Sequence, residues 1–207
     1  MTDISLCLVI LLTFLTLKAE STLTLSLYRC SNSSYPNTTL TSYKADLDLI
    51  LNSLSSNSRV PLGYYNTSSN AVYGSFLCRG DLSPGECEDC AKNATKTIVR
   101  LCPRSEWAFL WFDQCMVRYS NRNFFSSMET DPHLDGYNGE STAEPKQFMA
   151  VLEKTMGELA NKLAAKYLRV EKKYATKEVK INAKETLQTM AQCTPDINVT
   201  GCVKKQN

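Results

Sequence analysis

Residues 78–90 read CRGDLSPGECEDC, and the fold turns on them. Three cysteines stand at fixed spacing: Cys78, Cys87 and Cys90. Between the first two, Ser83-Pro84-Gly85-Glu86 makes a helix start, with Ser at the cap, Pro at the first helical position and Glu three residues after the Ser. Cys87, Cys90, Ala94, Ile98 and Leu101 then form one apolar face, which Pro103 stops. Before this helix, AVYGSFLC (71–78) reads as a strand. After it, WAFLWF (107–112) and CMVRY (115–119) read as two more. The unbroken apolar run over 107–112 suits a strand covered on most of its surface. Further upstream, Leu40, Tyr43, Leu47, Ile50, Leu51 and Leu54 follow helical spacing, and TLTLSLY (22–28) alternates like a strand. The order predicts an α+β domain with two helices packed on one face of a sheet.

The pattern then restarts. Residues 133–145, HLDGYNGESTAEP, read as a linker between a first domain (20–132) and a second unit (146–207). Pro145 opens a helix carrying Phe148, Leu152, Met156, Leu159 and Leu163. TKEVKINA (176–183) and TLQTMAQC (186–193) read as strands. Cys193-Thr-Pro-Asp-Ile mirrors Cys78-Arg-Gly-Asp-Leu, and in both places eight residues separate the next cysteine, Cys87 or Cys202. This is an internal repeat. Its second copy is expected to be incomplete, because the sequence stops five residues after Cys202. Missing strands would leave a sheet edge open to homo- or heterodimerisation.

The chain has 207 residues, 23 Lys+Arg against 21 Asp+Glu, a net charge of +2 and a single His. That balance gives no case for a nucleic-acid partner. His133, between Asp131 and Asp135, reads as an exposed linker residue with no nucleophile beside it. No catalytic set, cofactor motif or Gly-rich phosphate loop is present, so a non-enzyme is expected. Residues 4–17 are almost wholly apolar, and as a helix they would rise only about 21 Å. Residues 1–19 read as a secretory signal peptide, with an uncleaved signal anchor as the other reading; no further run is long enough for a transmembrane anchor. Removing it leaves eight cysteines, an even number suited to disulfides outside the cell. A zinc site built on Cys87 and Cys90 lacks a second ligand pair, so no metal is expected. Sequons at Asn32, Asn37, Asn66, Asn93 and Asn198 fit the same compartment.

Cys30, Cys78-x8-Cys87-x2-Cys90, Cys102 and Asp113-x-Cys115-x-x-Arg118-Tyr119-Ser120 resemble the plant cysteine-rich repeat domain, also called the stress-antifungal or ginkbilobin-homologous domain. The resemblance covers about residues 24–207. It implies a five-stranded antiparallel sheet with two helices, and bridges Cys30–Cys102, Cys78–Cys87 and Cys90–Cys115. The repeat then implies Cys193–Cys202. Tandem copies occur in cysteine-rich repeat secretory proteins, plasmodesmata-located proteins and the ectodomains of cysteine-rich receptor-like kinases. An antifungal member of the family binds mannose through an Asn, an Arg and a Glu. Those positions fall here on Ser31, on Ala108 or Phe109, and on Ser120, so no cation or carboxylate is expected among the anchors.

Trp107, Phe109, Trp111, Phe112, Phe124 and Phe125 read as core strand packing, or as a face where two domains meet. Eight Lys/Arg over 162–184 suggest either an anion-binding surface or a solvated face with Lys–Glu pairs. The functional expectation is a secreted binding protein of plant defence or stress signalling that recognises an extracellular protein or glycan. The alternatives are a mannose- or glycan-binding antifungal lectin, or a truncated ectodomain of a receptor-like kinase or plasmodesmata-located protein.

Overall fold

The computed structural model describes residues 23–35, 40–129, 131, 142–164 and 172–203. The signal-peptide reading, Asn37, His133 and most of the linker fall outside these residues. Five strands form one antiparallel sheet: β1 (Leu25–Cys30), β2 (Tyr64–Ser69), β3 (Val72–Cys78), β4 (Trp107–Phe112) and β5 (Cys115–Ser120), in spatial order β1-β4-β5-β3-β2. Helices α1 (Leu40–Ser56) and α2 (Pro84–Leu101) pack on each other and on one face of it. β2 is absent from the strands read residue by residue. Its sequence, YYNTSS, is polar, and the hairpin turn declares it: Asn70 takes a positive φ of 47° between Ser69 and Val72.

The sequence signals at α2 act as read. Ser83 caps it, Glu86 closes the capping box and Pro84 opens the first turn. All three cystines of this unit end on α2 or its cap: Cys87 to Cys78 on β3, Cys90 to Cys115 on β5, and Cys102 to Cys30 on β1. The helix is therefore stapled to three strands. Between helices and sheet lie Ile50, Leu54, Phe76, Ile98, Leu110, Val117 and Tyr119, all essentially inaccessible. Each such large apolar side chain contributes about 1.5–3 kcal/mol by its burial. Gly74 lets α1 come close, since a Cβ there would lie 2.9 Å from Ile50 Cδ1.

A second unit follows: α3 (Pro145–Ala164), the hairpin β6 (Tyr174–Lys180) and β7 (Thr186–Gln192), and the short α4 (Val199–Val203). The strand read over 176–183 starts two residues earlier and ends at Lys180, because Asn182 and Glu185 close a turn: Ile181 N and Asn182 N both donate to the Glu185 carbonyl. A Cys193–Cys202 bridge ties the end of the hairpin to α4. Its core is small, with Leu159, Leu163 and Ala175 packed against Ala191 and the bridge. Among the described residues, no helix is long and apolar enough to cross a membrane.

Candidate functional site

Strand alternation decides what the sheet offers away from its helices. Ala108, Leu110 and Phe112 of β4 face the helices, so Trp107, Phe109 and Trp111 point to the opposite, outer face. The cross-strand register sets Arg29, Phe109, Arg118, Ser75 and Asn66 in one row, and Trp107, Ser120 and Tyr73 in the next. The aromatic run is therefore divided. Only its even members enter the core, while the odd ones build an outer ladder in which Phe109 stacks on Trp111 at 5.0 Å and meets Trp107 edge-on at 6.2 Å.

Residues 121–129 fold back over this face. The Arg118 guanidinium lies between two rings, 4.3 Å from the Phe109 centroid and 3.7 Å from that of Phe124, and pairs with Glu129. Burial pulls its pKa below the ordinary arginine value, against the opposing pull of Glu129. Phe125 meets Phe124 at 5.0 Å and Tyr73 at 5.6 Å, both edge-on. Ser126 N donates to Asp196 Oδ2 at 2.7 Å, joining the loop to the second unit. Burial, then the nearby Asp196 charge, raises the Tyr64 phenol above its usual range.

At the strand ends this framework leaves a cavity of about 230 Å³. The Trp107 and Phe109 side chains form its apolar wall. Glu106, Arg118, Arg122, Glu129 and Asp131 bring charge, and Ser33, Ser120 and Asn121 bring neutral polar groups. Glu106 Oε2 accepts from Ser33 Oγ at 2.8 Å, and Ser33 is in turn held by Ser31, whose Oγ accepts from Ser33 N at 3.0 Å. Ser31 thus stands behind the cavity and positions Ser33. Ser120 Oγ accepts from Arg122 N at 3.0 Å. Of the two alternatives for the arginine anchor, Ala108 is fully buried on the helix side and Phe109 lines the cavity.

None of the three anchor positions carries a cation or carboxylate, yet the cavity is charged. Its charged residues come from positions the three anchors do not mark: Glu106 precedes β4, and Glu129 and Asp131 arrive with the folded-back loop. A smaller adjoining space of about 110 Å³ shares Phe109, Arg118, Glu129 and Asp131, and adds Tyr64, Ser75 and Asp196. Among the described residues, buried Arg118 Nε and Asp196 Oδ1 have no hydrogen-bond partner. A larger space, about 480 Å³, is the mostly apolar seam between the two units, with Trp111, Met116, Met128, Met190 and Ile197 on its walls.

The basic stretch is spent partly inward. Lys172 Nζ donates to the Gly80 and Leu82 carbonyls at 3.0 and 2.9 Å, buried Lys173 donates to the Pro195 and Ile197 carbonyls, and Lys177 pairs with Glu158. Exposed sequons are found at Asn32, Asn93 and Asn198. Asn66 is half-buried and donates to Tyr64 Oη at 3.0 Å. No group of three or more His, Cys, Asp or Glu among the described residues could hold a metal ion.

Residues 29–122 match the family model described as salt stress response/antifungal. Cysteine-rich repeat secretory protein 1 of Arabidopsis thaliana is 32% identical over an alignment covering 95% of this chain and 59% of that protein. Cysteine-rich repeat secretory protein 8 is 36% identical, with coverage of 80% and 63%. Cysteine-rich receptor-like protein kinase 25 is 33% identical over 81% of this chain, and the match takes in 26% of the kinase. The chain thus spans between about a quarter and three fifths of these curated relatives. In fold it is similar to the tandem DUF26 ectodomain of the Arabidopsis thaliana cysteine-rich receptor-like protein PDLP8, with a TM-score of 0.69, 21% identity and coverage of 87% of this chain and 82% of that one. The corresponding PDLP5 ectodomain gives a TM-score of 0.65 at 23% identity. With its cystine-stapled helix and five-stranded sheet, the chain carries a cysteine-rich repeat, or stress-antifungal, domain related to those of these Arabidopsis thaliana proteins.

Proposed function

We propose that this protein is a receptor-type extracellular recognition module whose outer-face cavity binds a polyhydroxylated ligand, the end of a glycan. The cavity beside Trp107 carries the reading. It combines an aromatic wall with carboxylates and guanidinium groups in a recess on a rigid sheet, the mixture that grips an apolar sugar face while orienting its hydroxyls. A hydroxyl both donates and accepts, and the unmet Arg118 Nε and Asp196 Oδ1 next door ask for one group of each kind. On this reading the anchors of the mannose-binding relative are replaced by others on the same face: Glu106 and Ser33 near Ser31, and Arg122 near Ser120. The second unit is a partial repeat domain that docks beside the site, with residues 133–145 as linker. Glycans are carried on Asn32, Asn93 and Asn198, where the side chains are exposed.

Amide NMR titration of the secreted chain with mannose and short cell-wall glycans tests this. The expected result is a set of shifts confined to Ser33, residues 106–109 and residues 120–122, lost in Trp107→Ala and reduced in Glu106→Gln. A well-dispersed spectrum that none of these sugars perturbs would overturn it.

A further inference from the structure

The mirrored segments Cys78-Arg-Gly-Asp-Leu and Cys193-Thr-Pro-Asp-Ile fold into the same turn. Leu82 N donates to the Arg79 carbonyl at 3.1 Å, and Ile197 N donates to the Thr194 carbonyl at 3.2 Å. Asp81 and Asp196 therefore hold the same place, and they use it differently. Asp81 is paired within its own turn: Arg79 Nε and Nη2 donate to its two carboxylate oxygens at 2.7 and 3.1 Å. At the matching position the second copy has Thr194, which offers no guanidinium. Asp196 turns to the first unit instead, where its Oδ2 accepts from Ser126 N at 2.7 Å. Buried Lys173 steadies the turn that presents it, donating to the Pro195 and Ile197 carbonyls on either side. Asp196 Oδ1, buried and without a partner, lines the space of about 110 Å³ together with Arg118 and Tyr64.

We propose that Asp196 is a positioning residue for the outer-face cavity: a latch from the second repeat that holds the 121–129 loop over the first sheet, and with it the cavity's Glu129 and Asp131. The loop is fixed at its start by the Asn121 N bond to the Glu106 carbonyl, and further on by Phe124 over Arg118 and by the Arg118–Glu129 pair. The Asp196 bond falls between these, on Ser126, whose φ is +57°. A residue other than glycine keeps that left-handed conformation only where its surroundings hold it there. Thr at 194 in place of Arg leaves the Asp196 carboxylate available for the task. On the glycan reading of this cavity, on which this consequence rests, sugar binding and docking of the second unit are coupled, and each strengthens the other by the same factor.

Hydrogen exchange and amide NMR on the secreted full chain test the latch without any sugar. Thr194→Arg rebuilds in the second turn the pair that Arg79 makes with Asp81, and so draws Asp196 away from the loop. Residue 194 lines the 480 Å³ seam, which has room for the longer side chain. Exchange of the Ser126 N–H should rise roughly tenfold or more, the scale of one hydrogen bond to a charged group. Amides over 124–131 should shift, while β6 and β7 stay protected. Asp196→Ala should do the same, and Asp196→Asn, which keeps an accepting oxygen, should restore much of the protection. Asp81→Asn, the matching change in the first copy, should leave the loop unmoved. Wild-type exchange of the loop in both Thr194→Arg and Asp196→Ala overturns the proposal. Opening of β6 and β7 together with the loop overturns it too, since the fold of the second unit, not its aspartate, would then hold the loop. Mannose titration of the same variants reads the consequence: shifts at residues 106–109 should need about tenfold more sugar once the loop is released. If the loop is released but sugar binds as before, the glycan reading stands and the latch's control of the cavity is overturned. If the wild type takes no sugar while the loop responds as expected, the glycan reading fails and the latch is upheld.

Discussion

One chain path occurs twice in this molecule, as α1–β2–β3–Cys78–Cys87 and as α3–β6–β7–Cys193–Cys202, and only one copy has a core of any size. The local details agree closely. Cys78 N donates to the Gly63 carbonyl just before β2, and Cys193 N donates to the Lys173 carbonyl just before β6. Both bridges span nine residues in sequence. The helix after each bridge loop begins with a side-chain cap, from Ser83 and from Asn198. The difference is non-local. In the first unit β5, β4 and β1 continue the sheet past β3, and two further cystines tie α2 to them. Local sequence thus builds the helix–hairpin–bridge unit, but burial sufficient for independent stability comes from strands far away in the chain. The second unit makes up part of the deficit by leaning on the first. Gln192 bonds to Cys78 O and Gly80 N through both ends of its amide, and Lys172 reaches the same loop.

Bridge removal should separate the two copies most sharply. Cys30–Cys102 has a sequence separation of 72 and Cys193–Cys202 one of 9. In the chain-entropy account they contribute about 4 and about 2.5 kcal/mol. Cys30→Ala with Cys102→Ala should lower the urea midpoint of the first unit yet leave it folded, because two bridges and the full core remain. Cys193→Ala with Cys202→Ala removes less free energy but from a far smaller total. Hydrogen exchange should then find α3, β6 and β7 open while β3–β5 stay protected. Simultaneous loss of both units in the second variant would mean they fold as one, and the comparison would fail.

The contact between the copies can be broken at one atom. A Cβ on Gly80 would fall far inside contact distance of the Tyr174 ring. Overpacking of this kind costs about 1–3 kcal/mol. Gly80→Ala should shift amides of β6 and β7 and speed their exchange, and leave the α2 and β5 signals in place. Gly85→Ala supplies the contrast, since a Cβ there meets nothing within 4 Å in the first turn of α2. It should stabilise the first unit by about 0.5–1 kcal/mol. Unchanged β6–β7 exchange in Gly80→Ala would show that docking does not support the second unit.

How far the sequence discloses this arrangement depends on the range of each signal. The capping box at Ser83–Glu86, the apolar stripe of α2 and the alternation of β5 are local, and they are legible. β2 is local too, but YYNTSS lacks an apolar alternation, and only Asn70 at the turn marks it. The run 107–112 looks uniformly buried because both of its faces are covered, one by helices and the other by aromatic neighbours and the 121–129 loop. Periodicity cannot tell those two covers apart. The cavity charges are the least legible. Glu129 and Asp131 come to line the same cavity as Ser33 because Asn121 N bonds back to the Glu106 carbonyl and Phe124 is buried over Arg118.

The caps offer the finest comparison. Ser83 N and Oγ both donate to Glu86 Oε2, at 2.8 and 2.7 Å, and Glu86 N returns a bond to Ser83 Oγ. Asn198 Oδ1 accepts a bond from Gly201 N at 2.7 Å, with no acidic side chain three residues on. Ser83→Ala should cost about 1 kcal/mol, read as a lower midpoint for the first unit. Asn198→Ala should cost the second unit somewhat less, within the range of about 0.5–2 kcal/mol for cap removal, because α4 has five residues to stabilise. Asn198 is also a glycosylation candidate, so Asn198→Asp is the control: it keeps the accepting oxygen, removes the sequon and should restore stability. Acid separates the two caps further. Hydrogen bonds from the Ser83 hydroxyl and then its N–H hold the Glu86 carboxyl below the ordinary glutamate range. A carboxyl depressed in the folded state stabilises above its unfolded pKa, and that contribution disappears as pH falls through the folded value. The stability lost to Ser83→Ala should therefore shrink at acid pH, while that lost to Asn198→Ala, whose cap has no carboxyl, should not follow it.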